Sequence, residues 1–164
     1  MADPREPDRL QPSLLDRLID EAPQERGEGR DRRVIDMRRL REILRRDLAW
    51  LLNTTNKEDL WPLEELPHVA RSTLNYGIAE ISGKRAAEVT ARELERLIRE
   101  AIETFEPRIL PHTLSVTAIR PGDQPRAVLA FDLRAEVWGQ PLPLEIYMRT
   151  ELDVDSGELT VRED

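Results

Sequence analysis

The chain has 164 residues, enough for one domain that buries roughly two-thirds of its unfolded surface without a metal or disulfide. It contains no cysteine, which excludes disulfides, thiolate nucleophiles and cysteine-based zinc sites. A net charge of −8, from 33 acids against 25 bases, opposes general nucleic-acid binding, and with 4% aromatic residues the core must be mainly aliphatic.

Residues 1–32 hold no aromatic residue, four prolines, two glycines and charges of both signs. Such a stretch buries too little apolar surface to offset its ordering entropy, so it reads as a flexible arm ahead of a domain over 33–164. The opening MADPREPDRL carries no apolar segment of a secretory signal. No apolar run approaches the roughly 18 residues needed to cross a bilayer, and the expected location is the cytoplasm. One apolar island interrupts the arm at 12–20. There Leu14, Leu15, Leu18 and Ile19 recur at helical spacing behind Ser13, a candidate cap. It reads either as a short helix packed on its own domain or as a peptide that docks on a partner.

The first long helix is predicted over 36–52. Met37, Leu40, Leu44, Leu48 and Leu51 form its stripe, with Ile43 and Leu52 beside them. Asp36 is the expected cap, and Asn53 is expected to end the helix in a left-handed conformation. Arg38, Arg39, Arg41, Arg45 and Arg46 load the polar face. That face is either solvated, with pairs such as Glu42–Arg46, or a basic contact surface. Trp61 falls in a loop. Pro67 opens a short helix over 67–75, with Val69, Leu74 and Tyr76 as core contacts, and Gly77 ends it. Ile78 and Ile81 follow, and Ser82-Gly83 turns the chain. Thr90 and Glu93 form a capping box, after which Leu94, Leu97, Ile98, Ala101, Ile102 and Phe105 make one apolar face. Pro107 disfavours the helical conformation at Glu106 and ends the helix there.

From residue 112 the apolar period changes to two. Alternating runs over 113–119, 127–138 and 143–154, and a short one around Leu159 and Val161, predict four strands. Turn residues at Pro121-Gly122-Asp123, Gly139-Gln140-Pro141 and Asp155-Ser156-Gly157 connect them as hairpins. The fold class is therefore α+β: about three helices packed on the oily face of a small antiparallel meander. An edge strand of such a sheet is a template for another chain, but the residues do not say which edge is open.

Catalytic chemistry finds little footing. There is no glycine-rich phosphate loop or dinucleotide fingerprint, so no cofactor is expected. His68 and His112 share no metal-ligand spacing, so no metal is expected either. Glu106 is the one carboxylate in an unusual setting, before Pro107 and Arg108. A glycosidase acid there would need a second carboxylate within roughly 5–10 Å, and no partner stands out in the sequence. Glu106 and Arg108, held either side of a proline, read instead as a lock on the helix-to-strand corner or as a fixed contact for a partner.

Four stretches carry a resemblance: PSLLDRLID at 12–20, LRRDLAWLLNT at 44–54, LPHVARSTLNYGIAEISG at 66–83 and FEPRI at 105–109. They resemble the type VI secretion baseplate wedge component TssE, a family related to a wedge protein of contractile phage tails. The order of elements extends the likeness over nearly the whole chain. The resemblance implies a structural, non-enzymatic subunit. It would assemble with TssF and TssG in the cytoplasmic baseplate at the inner membrane and help to start sheath polymerisation. It also makes Glu106, Pro107 and Arg108 the family's signature triplet. Relatives are sometimes labelled lysozyme-like, which keeps a peptidoglycan hydrolase using Glu106 as acid as the alternative.

Overall fold

A computed structural model of the chain describes residues 13–19, 24, 37–80, 90–119, 128–138, 143–154 and 156–163. Most of the arm, the Asp36 cap, Ile81, the Ser82-Gly83 turn, Asp155 and the turns at 121–123 and 139–141 lie outside the described residues.

The helices are α1 (Leu14–Leu18), α2 (Met37–Leu52), α3 (Pro67–Ala70) and α4 (Ala91–Phe105). The strands are β1 (Ser115–Ile119), β2 (Val128–Val137), β3 (Leu144–Asp153) and β4 (Leu159–Glu163). They form one antiparallel sheet in the order β1-β2-β3-β4, a meander with every neighbour adjacent in sequence. Helix α2 packs over β4, α4 packs over β1, and the two helices touch. The sheet's apolar face meets theirs in one core of Leu44, Leu48, Ile98, Ile102, Phe131 and Met148 with their neighbours. The architecture is the predicted α+β class.

Local chemistry sets the element ends. Thr90 caps α4 with the full box: its hydroxyl accepts from the Glu93 N–H, and the Glu93 carboxylate accepts from the Thr90 N–H at 2.7 Å. Helix α2 ends differently from the expectation. No non-glycine residue takes a positive φ among those described. Instead Asn53 Nδ2 donates to the Ala49 carbonyl at 2.8 Å and Thr54 Oγ1 donates to that of Trp50 at 2.7 Å. Side chains satisfy the orphan carbonyls, so a left-handed cap is not needed. The same Asn53 amide reaches β4, accepting from the Leu159 N–H and donating to its carbonyl.

The helix predicted over 67–75 is two short pieces, α3 and a single 3₁₀ turn at Thr73–Asn75. Ser72 caps the second turn and separates them. The break turns Leu74 outward, 75% exposed, which corrects its assignment to the core. Met37 is also more exposed than its place in the apolar stripe implied. Asn75 takes the interior position instead, bonded to the Lys57 N–H and the Ala70 carbonyl. β1 starts at Ser115 rather than 113 because Pro111–Thr113 forms a 3₁₀ turn.

Candidate functional site

The corner after α4 is built from both sides. Pro107 holds Glu106 out of the helical region, at φ −117° and ψ 79°, while the Glu106 N–H still closes the last helical bond to Ile102. The following residues then pair with the end of β2. The Leu110 N–H donates to the Glu136 carbonyl, and the Trp138 N–H donates to the Arg108 carbonyl at 2.7 Å. Ile109 forms a bridge to Val137 and is buried.

Glu106 is 5% exposed, and such a carboxylate must be paired. Arg108 does this three times. Its backbone N–H and its Nε donate to Glu106 Oε1, at 3.1 and 2.6 Å, and its Nη2 donates to Oε2. The same Nη2 reaches Asp47 Oδ2 on α2 at 2.6 Å. Burial alone would lower the Arg108 pKa. The Glu106 bond and charge, followed by those of Asp47, outweigh it and raise the pKa above the usual guanidinium value.

The charges continue past Asp47. Arg46 donates from Nε and Nη2 to Asp47 Oδ1, at 2.9 and 2.7 Å. Its Nη1 lies 2.8 Å from Asp16 Oδ1 on α1. That last contact is an ion pair off the hydrogen-bonding axis, so charge rather than an aligned bond holds it. The Arg46 guanidinium also stacks on Trp50 at 4.9 Å. Tyr76 completes the neighbourhood. Burial first, then the negative charges of Asp47 and Glu106, raise its phenol pKa, and its ring meets Phe105 edge-on at 5.4 Å. The predicted Glu42–Arg46 pair gives way to this network, and Glu42 pairs with Arg38 and Arg39 instead.

Asp16 seats α1. Ser13 caps the helix as predicted, and the Asp16 side chain is only 4% exposed. Leu14 and Leu18 are 73% and 74% exposed. The helix therefore faces α2 with its charge and turns these two apolar side chains outward, with Leu15 and Ile19 half-exposed beside them. Burial alone would raise the Asp16 pKa, but the Ser13 hydrogen bond and then Arg46 outweigh it and hold the carboxyl below its usual range. A carboxyl with a depressed folded pKa stabilises above its unfolded pKa, and the effect is lost as pH falls through the folded value. We therefore expect α1 to stay seated near neutral pH and to leave α2 below about pH 4. Backbone chemical shifts of Leu15 and Leu18 that stay constant down to about pH 2.5 would contradict this.

As a general acid, Glu106 is badly placed. The second carboxylate that the sequence did not reveal is Asp47, two hydrogen bonds away through Arg108 Nη2. Both carboxylates face that guanidinium rather than a cleft. Two open grooves, of about 350 and 280 Å³, are lined by other residues. His68 and His112 lie on separate turns and are exposed, and no cluster of three or more metal-ligating side chains occurs among the described residues. Asp16, Asp47 and Trp138 had no site role in the sequence, and Arg46 had only a place on the basic face of α2. The only further signal was membership of the two stretches at 12–20 and 44–54, which Trp138 lacks.

The described residues form a small α+β domain whose charged corner leads from α4 to pairing with the end of β2. Residues 38–142 match the family of the baseplate wedge protein gp25, and the chain belongs to that family. Membership makes it a baseplate component of a contractile machine, built to assemble with other proteins. No curated protein and no solved structure matches the chain.

Proposed function

We propose that this chain is the TssE-type wedge subunit of a type VI secretion baseplate, a structural protein without catalytic activity. In this reading it joins TssF and TssG on the cytoplasmic side of the inner membrane and helps the sheath begin to polymerise. Glu106, Pro107 and Arg108 hold the shape of the surface that meets the wedge partners. Leu14, Leu15, Leu18 and Ile19 on the arm dock against them.

The observation that carries the sheath part of the reading is the state of the two sheet edges. Along an antiparallel edge strand, every second residue points its N–H and C=O away from the sheet. On β1 one outward group is occupied, and another is occupied just before the strand. The Ala118 N–H donates to Glu95 at 2.6 Å, and the Leu114 carbonyl accepts from Arg99 at 2.7 Å. On β4 the Asn53 amide covers Leu159 only. Among the described residues, no group occupies the outward positions of Val161 and Glu163. Unpaired backbone groups on an edge strand are where a strand from another chain can add.

Val161→Pro and Glu163→Pro each remove an outward N–H and leave the β3 ladder bonds in place. Both variants are expected to co-purify with TssF and TssG yet fail to start sheath assembly in a reconstituted baseplate. Normal initiation by a folded Glu163→Pro, Val161→Pro double variant would overturn the β4 role. Failure of the unaltered chain to co-purify with TssF and TssG would overturn the type VI assignment itself.

A further inference from the structure

Asp16, Arg46, Asp47, Arg108 and Glu106 form one unbroken chain of alternating charge from α1 to the corner. Asp47 sits in the middle with both oxygens in use: Oδ1 takes Arg46 and Oδ2 takes Arg108. The arm helix and the corner thus share one anchor, although Asp16 and Arg108 do not touch. Among the described residues, few other contacts hold α1. Five residues are too few for an isolated helix, and Leu14 and Leu18 face away from the core.

We propose that Asp47 is a positioning residue that couples the seating of α1 to the order of the Glu106–Arg108 corner, making α1 a strap whose release loosens the corner. The sign follows from the charges. Removing Arg108 takes away a positive charge that favours ionised Asp16. It also leaves Asp47 to compete, without a second cation, for the same Arg46 that Asp16 needs. Loss of Arg108 therefore unseats α1. By reciprocity of coupling, loss of the Asp16 charge loosens Arg108. A partner that captured the outward apolar side chains of α1 and drew it away would change the corner it meets. The coupling is internal to the chain, so it stands or falls independently of which partners bind.

The test uses the full chain alone, read by NMR at two places: the α1 backbone signals and the Arg108 Nε–H. Asp16→Asn lies outside the core and leaves the domain folded. It is expected to shift the α1 signals toward random coil and to speed exchange of the Arg108 Nε–H at least about twofold, the lower end of coupling within one charge network. Arg108→Gln is expected to release α1 as well, with no further release when combined with Asp16→Asn. If the Asp16 variant leaves α1 seated, the charge clasp is wrong. If α1 is released and the Arg108 Nε–H exchanges at its original rate, the coupling is wrong. The second result can be read even if Arg108→Gln does not fold, because it needs only the Asp16 variant.

Discussion

Arg108→Ala is expected to destabilise the isolated chain by about 3 kcal/mol, the low end for breaking a buried ion pair. The low end applies because the Arg108 side chain is itself 27% exposed. The variant leaves Glu106 buried, with its carboxylate deprived of every side-chain donor it has among the described residues. It also frees Asp47 Oδ2. In a chain of this size the loss corresponds to a fall in Tm of about 6–12 °C. A paired replacement, Glu106→Leu with Arg108→Met, removes both charges together and is expected to recover most of that stability. The pair then separates two roles. If the paired variant folds well but no longer joins the proposed partners TssF and TssG, the charges themselves serve the interface. If it folds and assembles normally, the corner is a folding device. A change below about 0.5 kcal/mol in Arg108→Ala, typical of an exposed pair, would rule out a lock.

Gly77→Ala is expected to be as damaging for a different reason. Gly77 has φ +121°, and an added Cβ would lie 2.0 Å from the Thr54 carbonyl oxygen and 2.7 Å from its carbon. Both are backbone atoms at a crossing where no side chain can yield. The clash forces apart the bridge between Thr55 and Ile78. It puts at risk the bonds from the Asn56 N–H to Ile78 and from the Ile78 N–H to Thr54, each 2.9 Å. Backbone strain of about 1–3 kcal/mol and two weakened hydrogen bonds at about 1 kcal/mol each give a loss near 4 kcal/mol. Urea denaturation measures it, with Leu74→Ala, an exposed neighbour, as the control expected within about 0.5 kcal/mol of the parent. Equal stability of the two variants would show that the loop tolerates a shift at the crossing.

Much of this molecule was legible from residue order alone because the deciding forces are local. The capping box at Thr90 and Glu93 uses atoms three residues apart. The end of α4 at Phe105 follows from the steric effect of Pro107 on the residue before it. Period-two alternation after residue 112 yielded the strands, and the short hairpin connections made the meander antiparallel. The Glu-Pro-Arg triplet read as either a corner lock or a partner contact, because proline fixes only its immediate neighbours.

What the tertiary structure decided are the pairings between residues far apart in the chain. Asp47 and Arg108 are 61 positions apart, and Asn53 and Leu159 are 106. A local pattern cannot report that Glu106 is enclosed, that Asp47 links the corner to α1, or that α4 side chains reach the backbone beside β1. Nor could it foresee that Asn53 would end α2 with its side chain, because the geometry that repays that arrangement includes β4. Local sterics and periodicity are properties of the sequence; burial and charge pairing across the fold exist only once the chain has packed.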